Sequence, residues 1–335
     1  MNSNYKQLYK EKGLTLVELM VAMVIGLVLV GGVIQIFVSN KQAYRVQEAM
    51  SRVQENGRFA IEIFSRNTRM AGFTGCGSLD VVEPNVIANN PPAGGFSASN
   101  AVFGYEYDGS AWTPAFAAPP ANVVANTDVI TINRGDDCGA YLLGNMTADN
   151  ANIQLNPGNS CGFTAGDIII ISDCVSTDVF RATNVSAGAS KITIAHANSQ
   201  NTTNRLSKAY GADARIHKLS SYDYYIRENP AGEPALYIRE NGAVSELVEG
   251  TEDLQILYGE DTTDDKSADQ YVDADAVAVS DWNNISGVRA TFGLRSLTNN
   301  VSTSNQTYSY DGANITNRRL RQNMTSTISL RNRTP

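Results

Sequence analysis

The hydrophobic residues of this chain are concentrated in one uninterrupted run near its N-terminus. From Leu14 to Val38 nearly every residue is apolar, and within residues 19–38 the only strongly polar side chain is Gln35. A helix of about 20 residues rises about 1.5 Å per residue and is roughly 30 Å long, which matches the hydrocarbon core of a bilayer. The pattern therefore predicts a transmembrane helix over residues 14–38.

The helical pattern continues beyond the apolar run, because no proline occurs before the glycines at 72 and 75. Apolar or small residues recur three or four positions apart, at Val46, Met50, Val53, Gly57, Ala60, Ile61 and Phe64. This spacing predicts an amphipathic continuation over residues 39–72, whose apolar stripe packs on the chain's own β domain. Charges of alternating sign run beside the stripe, and we interpret them as a solvated face, with contact to other helices as the alternative.

The remainder of the chain has the short alternating segments and turn residues of a β-rich domain. Residues 84–120 contain six of the ten prolines, which indicates a loop-rich insertion at about 78–125 within a head that spans residues 73–335. Strand-like segments are predicted at 128–133, 167–172, 191–195, 221–227, 235–239, 254–258, 287–294 and 325–330. One long helix followed by many strands predicts an α+β fold, in which the helix lies across an antiparallel sheet.

The first 13 residues are polar and basic, with Lys6, Lys10 and Lys12 against the single acid Glu11. The positive-inside rule predicts that they stay in the cytoplasm. A secretory signal peptide would have a shorter apolar region that ends in a small-residue cleavage site. A plain signal anchor leaves the carboxylate of Glu18 unexplained, since an unpaired charge near a membrane is costly.

The order Gly13, Leu14, Glu18 resembles the leader-peptidase motif of the type IV pilin family, with leucine where the family usually has phenylalanine. The resemblance implies that residues 1–13 are a leader and that a prepilin peptidase cuts between Gly13 and Leu14 and N-methylates Leu14. It also implies that Glu18 pairs with the new amino group, of a neighbouring subunit or of its own chain. Such pairing in an apolar bundle sets the axial register during assembly.

A sharper resemblance links four stretches to the PilW family of minor pilins: residues 52–76 (RVQENGRFAIEIFSRNTRMAGFTGC), 166–183, 221–261 and 318–333. It implies a subunit that primes assembly at or near the pilus tip. The implied partners are other minor and major pilins, through the N-terminal helices, the prepilin peptidase, the inner-membrane assembly platform and a tip adhesin. The implied location is the bacterial inner membrane, crossed once with the head in the periplasm, and then the fibre.

Two other functions stay open at this point. A minor pseudopilin of type II secretion would share the leader and the helix. A tip module that adheres to surfaces or binds DNA would need an exposed aromatic or basic patch, and the net charge of −8 argues against general nucleic-acid binding.

Four cysteines in an exported protein predict two disulfides, and three pairings are possible. Cys76 and Cys174 lie in the stretches that resemble the PilW family, whereas Cys138 and Cys161 lie between them. The resemblance thus favours the nested pairs Cys76–Cys174 and Cys138–Cys161. A metal site is disfavoured, because there is no C-x-x-C motif and only two histidines are present.

No motif of a known catalytic or nucleotide-binding site occurs, so we expect neither enzymatic activity nor a cofactor. His196 and His217 lack a nearby nucleophile pattern and are assigned to the surface or the core. An acidic cluster is interpreted as a solvated loop rather than a Ca²⁺ site; its members are Asp261, Asp264, Asp265 and Asp269. The C-terminal arginines are interpreted as alternating side chains on a terminal strand, in preference to a contact with DNA or acidic partners. They are Arg318, Arg319, Arg321, Arg331 and Arg333.

Overall fold

The computed structural model describes residues 13–76, 78–91, 95–310 and 313–333. The predicted leader lies outside the described residues except for Gly13. Over the described ranges the chain forms one long α-helix and eighteen strands. The strands belong to antiparallel sheets, with one short parallel pairing, so the predicted α+β class is confirmed.

The helix α1 (Leu16–Arg69) is 54 residues long and buries only its C-terminal part. Val53, Gly57, Ala60 and Phe64 are buried, at the spacing that the apolar stripe predicts. They pack on three strands of the head, and Gly57 allows the closest approach because a side chain there would overlap Met324. The apolar first half of α1 extends away from the head and is exposed in the isolated chain.

In chain order the strands are β1 (Asn85–Val86), β2 (Val102–Tyr107), β3 (Trp112–Thr113), β4 (Val129–Tyr141), β5 (Ile153–Leu155), β6 (Ile168–Ser172), β7 (Thr177–Arg181), β8 (Asn184–Ala187), β9 (Ile192–Ala195), β10 (Arg215–Glu228), β11 (Pro234–Glu240), β12 (Ala243–Glu249), β13 (Thr251–Glu260), β14 (Gln270–Val272), β15 (Ile285–Arg295), β16 (Gln306–Tyr310), β17 (Ala313–Asn317) and β18 (Arg321–Ser329). Two short 3-10 helices lie at Ala98–Asn100 and Trp282–Asn284.

The largest sheet has nine strands and is organised around β10. Its main path runs β1-β7-β6-β10-β4-β2-β3, and β11 and β12 extend it beside the second half of β10. A second sheet, ordered β14-β13-β15-β18, packs with α1 on the first. The core between them contains Phe64, whose ring makes edge contacts with Tyr224 at 5.2 Å and Phe292 at 5.4 Å between centroids.

Each of the eight predicted strand segments overlaps an observed strand, with bounds that agree to within one residue or with an observed strand that is longer. The alternation around Tyr222, Tyr224 and Ile226 predicted one buried face, whereas both faces of β10 are buried in this stretch. On the second face Tyr225 packs beside Tyr237, and Asp223 is paired with a strand neighbour. The sequence of β10 alternates between apolar and polar residues because its second face includes a polar residue, Asp223, that is buried together with its partner.

The segment predicted as a loop-rich insertion contributes three strands to the main sheet, the two-residue strands β1 and β3 and the longer β2. The prolines of this segment lie outside β2, so they do not interrupt the hydrogen bonds between β2 and β4.

Candidate processing and assembly site

The predicted cleavage point lies just outside the first turn of α1. Gly13 and Leu14 have no regular secondary structure, and Leu14 is 74% exposed. Thr15 is extended, with φ −79° and ψ 151°, and its Oγ1 accepts a hydrogen bond of 3.2 Å from the backbone N–H of Glu18. Thr15 therefore acts as the N-cap, and the Gly13–Leu14 peptide stays outside the helical hydrogen-bond ladder.

Glu18 occupies the third helical position, three residues after the N-cap. Threonine followed by glutamate in this order is the sequence of a capping box, and a carboxylate in the first turn interacts favourably with the helix dipole. Glu18 is exposed. Glu18 therefore has a local role in stabilising the first turn of α1, in addition to the assembly role that the family resemblance implies. The two roles must be distinguished by experiment.

The first half of α1 presents an apolar surface with no cover from the head. Its large side chains are between 48% (Leu19) and 77% (Leu16) exposed. The helix is long and apolar enough to cross a membrane, and its most apolar part is not buried in the protein. Such a surface requires a lipid or protein environment, because exposure of this much apolar area to water is strongly unfavourable.

The cysteines form two disulfides at the far end of the molecule from Gly13 and Glu18. Cys76, seven residues after α1, is bonded to Cys174 in the turn between β6 and β7, with 4.8 Å between the Cα atoms. Cys138 of β4 is bonded to Cys161, with 4.9 Å between the Cα atoms. These are the nested pairs that the sequence favoured.

Two of the C-terminal arginines belong to an ionic network that is buried at Glu252 and Arg321 and partly buried elsewhere. Arg321 is paired with Glu252 at 2.5 Å, and Glu252 also contacts Arg295 at 3.3 Å. Glu233 joins Arg295 at 2.6 Å and Arg319 at 2.8 Å. Burial acts to raise the pKa of Glu233, but the two guanidinium groups hold it below its ordinary value. The network connects the start of β11 with the second sheet.

The other C-terminal arginines differ in exposure. The guanidinium of Arg333 is buried and donates to the carbonyl oxygens of Trp282 and Ile285, at 2.7 and 3.3 Å. Arg318 and Arg331 are exposed. Alternation of side chains on a terminal strand therefore does not fully explain the C-terminal arginines. Arg319, Arg321 and Arg333 have partners that lie far away in the sequence.

We expect Glu252→Gln to lower the free energy of unfolding by up to about 3 kcal/mol, because it removes the counter-charge of the buried guanidinium of Arg321, whereas Arg295 keeps its pair with Glu233. Urea unfolding of the detergent-solubilised chain would measure the effect. Glu48→Gln is the matched control, since Glu48 pairs with Arg52 on the exposed face of α1, and that pair contributes at most about 0.5 kcal/mol. Equal losses in the two variants would contradict a structural role for the network.

The acidic cluster shapes its own loop. Asp261 accepts hydrogen bonds from three backbone N–H groups, including that of Lys266 at 2.8 Å. Asp269 accepts from the backbone and hydroxyl of Thr262, each at 2.8 Å, and Asp264 is paired with Lys266 at 2.7 Å. Over the parts of the chain that the structure describes, no group of three or more histidine, cysteine or acidic side chains could hold a metal ion.

Both histidines are buried in the core. His196 Nε2 lies 3.0 Å from the carbonyl oxygen of Ala151. His217 Nδ1 lies 3.3 Å from the carbonyl oxygen of Asp136, and burial lowers the pKa of His217. Neither position resembles a catalytic arrangement of side chains.

Asp128 is a buried carboxyl group that the sequence analysis did not identify. Its Oδ2 accepts from the backbone N–H of Ile256 at 2.6 Å, and its own N–H donates to Leu254, so it joins the two sheets. Burial, with the nearby carboxyl of Glu106, raises the pKa of Asp128 from 3.8 to about 10. An aspartate at the start of a strand looks like an ordinary turn residue, and its partners lie far along the chain.

A raised pKa in the folded state makes stability fall as the pH rises. Folded Asp128 keeps a proton that the unfolded chain releases near pH 3.8, so its contribution is present below that pH and is lost progressively up to about pH 10. Between pH 7 and 9 we expect a decline of up to about 1.4 kcal/mol per pH unit. Asp128→Asn should flatten it, because an amide is neutral throughout.

Urea unfolding at pH 7, 8 and 9 would measure this slope. Asp108→Asn serves as the control, since Asp108 is exposed and three hydrogen bonds, the largest from the backbone of Ala111, lower its pKa. A slope unchanged in Asp128→Asn would exclude Asp128 as its source.

Comparison with known families gave two matches. Residues 8–34 match the prokaryotic N-terminal methylation motif, and residues 223–332 match the Type IV Pilus-assembly protein W (PilW) family. No curated protein and no solved structure matched the chain. The matches confirm the resemblance to the PilW family, although the stretches at 52–76 and 166–183 lie outside the matched ranges. They support a type IV pilus-related minor pilin that is anchored in a membrane and interacts with other pilus components.

Proposed function

We propose that this chain is a minor pilin that primes assembly of the type IV pilus and is located at or near the fibre tip. The observation that supports it most strongly is the cleavage motif at the start of a 54-residue helix whose apolar half has no cover from the head. A helix of this kind can lie in a bilayer and later among the helices of other subunits.

Processing by a prepilin peptidase at Gly13–Leu14 is compatible with the local geometry. Proteases bind extended backbone, and this peptide is exposed and precedes the N-cap. The cut removes the basic leader and creates an amino group at Leu14, which the enzyme then methylates.

The new amino group supplies a partner for Glu18. Inside a bundle of apolar helices the unpaired carboxylate would be strongly unfavourable. A subunit that adds to the bundle therefore stops at the axial position where its amino group or its Glu18 finds an opposite charge. Pairing of this kind selects one register among the many that apolar helices permit.

The bulk of the head supports a position at the end of the fibre, where it can be accommodated more easily than along the shaft. The proposed partners are the N-terminal helices of other minor and major pilins, the inner-membrane assembly platform and a tip adhesin. Before assembly the head would lie in the periplasm, with the helix in the inner membrane.

A minor pseudopilin of type II secretion remains the second candidate, and the PilW match over residues 223–332 favours the pilus. A DNA-binding head is less well supported. Arg319, Arg321 and Arg333 make ion pairs or hydrogen bonds within the fold, so the C-terminal basic cluster does not form a continuous surface for phosphates.

Mass spectrometry of the N-terminal peptide, from membranes and from sheared pili, tests the proposal. We expect a mature chain that begins at N-methylated Leu14 and is present in trace amounts in the pili. An uncut N-terminus would reject the prepilin assignment, and a processed chain that never appears in pili would favour the secretion system.

A further inference from the structure

The base of the head contacts α1 shortly after the apolar run ends. The side-chain amide of Gln42 donates a hydrogen bond to the carbonyl oxygen of Val301. Gln42 follows Val38 by four residues, which corresponds to about 6 Å along the helix axis. If residues 14–38 span a bilayer, as the proposed function requires, the loop at 296–305 lies at the depth of the lipid headgroups, a layer about 5–8 Å thick on each side.

The fold brings a cation from a distant part of the sequence to this loop. The backbone N–H groups of Val301 and Ser302 both donate to the carbonyl oxygen of Arg318 at 3.0 Å. The N–H of Arg318 donates to Asn299 Oδ1 at 3.2 Å, and its side chain is exposed. Arg318 is therefore held beside the point where the head meets the helix.

The helix contributes two more exposed cations at the same level. Lys41 and Arg45 are one turn apart, and Arg45 lines the same groove as Thr298 and Val301. The same groove is also lined by Glu48, Glu55 and Glu249, together with Arg52 and Arg295. Tyr44 is 67% exposed between them, and tyrosine is a residue that membrane interfaces favour.

The base is locally basic although the chain as a whole is acidic. No aspartate or glutamate occurs in residues 39–47 or 296–310, and Asp311 lies outside the described residues. The first acid along the helix, Glu48, is paired with Arg52 at 3.0 Å. Against a net charge of −8, this concentration of positive charge at one end points to an anionic partner.

We propose that Lys41, Arg45 and Arg318, with Tyr44, form a binding surface for the phosphate headgroups of anionic phospholipids in the leaflet from which α1 emerges. Each cation close to an anionic surface strengthens binding about fivefold, the equivalent of about 1 kcal/mol. The surface would hold the base of the head against the membrane until the subunit is withdrawn for assembly. The inference rests on the proposed membrane anchor but not on the priming role or the tip position.

The test uses the full-length chain in phosphatidylcholine vesicles. A fluorophore is attached to Thr298→Cys at the base, or to Val279→Cys near the far end of the head; the native cysteines are all in disulfides. A small fraction of quencher-labelled lipid is added, with the quencher on either phosphatidylglycerol or phosphatidylcholine. At low salt we expect several-fold more quenching of the Thr298→Cys label by the phosphatidylglycerol quencher, and no such excess at Val279→Cys.

The triple variant Lys41→Glu/Arg45→Glu/Arg318→Glu should lose the excess, and high salt should reduce it in the unaltered chain. The matched control Arg58→Glu/Arg66→Glu/Arg331→Glu makes the same charge change at exposed positions away from the base and should keep it. Equal quenching by the two lipids would overturn the proposal and would favour contact between this surface and a neighbouring subunit instead. Failure of the protein to float with the vesicles would instead reject the membrane anchor itself.

Discussion

Replacement of Gly13 by valine should leave the chain uncut and at its full mass. The peptide that the enzyme must bind is exposed and has no regular secondary structure, and nothing in the protein lies within 4 Å of the position a Cβ would take at Gly13. The substitution therefore leaves the fold unchanged, and its effect falls on the approach of the peptidase to the backbone, which a branched side chain obstructs. Intact-mass measurement on membranes of the producing cells would detect the retained leader.

Leu14→Phe is the matched control on the other side of the same bond. It introduces the residue that the pilin family usually has there, and it should be processed at least as completely as the unaltered chain. Full processing of Gly13→Val would mean that the bond is cut without the motif. Failure of both variants would indicate that the whole segment is sensitive to any change in size.

Replacement of Glu18 by alanine should leave processing intact and reduce pilus number about tenfold or more, which corresponds to a loss of about 1.4 kcal/mol or more in the assembly step. The reason is that the amino group at Leu14 of an adjoining subunit loses its opposite charge. Sheared pili would be counted in cells whose subunit has been shown by mass to be mature.

Glu18→Gln distinguishes charge pairing from helix capping. Glutamine can complete the capping box with Thr15 but carries no charge. If Glu18 acts by pairing with an amine, Glu18→Gln should assemble as poorly as Glu18→Ala. Normal pilus numbers in Glu18→Gln, with few in Glu18→Ala, would assign Glu18 to the start of the helix and remove it from the pairing mechanism.

The long helix and eight of the eighteen described strands were predictable because their signals are local. An apolar run, a stripe of period 3.6 and the absence of proline define α1, and four of its buried positions, Val53, Gly57, Ala60 and Phe64, follow from the stripe. The buried polar residues Ser65, Asn67 and Thr68 do not. Turn residues between alternating segments located eight strands. The cap at Thr15 was also available from sequence, since threonine stands three residues before glutamate.

The ionic network and the buried carboxyl at Asp128 were not predictable in the same way. Glu252 and Arg321 are separated by 69 positions, and Asp128 and Ile256 by 128, so no window of sequence contains both partners. The ionic network and Asp128 each connect the nine-stranded sheet with the second sheet. Their recognition requires the sheet order, which depends on long-range packing that a single sequence does not reveal.

The bridge between Cys76 and Cys174 has a mechanical consequence for a subunit in a fibre under tension. A pull on the membrane end of α1 travels along one uninterrupted helix and reaches Cys76 seven residues after the helix ends. The bridge spans 98 positions in the sequence, so the chain between its ends cannot be drawn out while the bond is intact. At about 3.5 Å per residue, the disulfide prevents the release of roughly 340 Å of extended chain. Under the same force, a head with this disulfide intact should therefore lengthen far less than a reduced head.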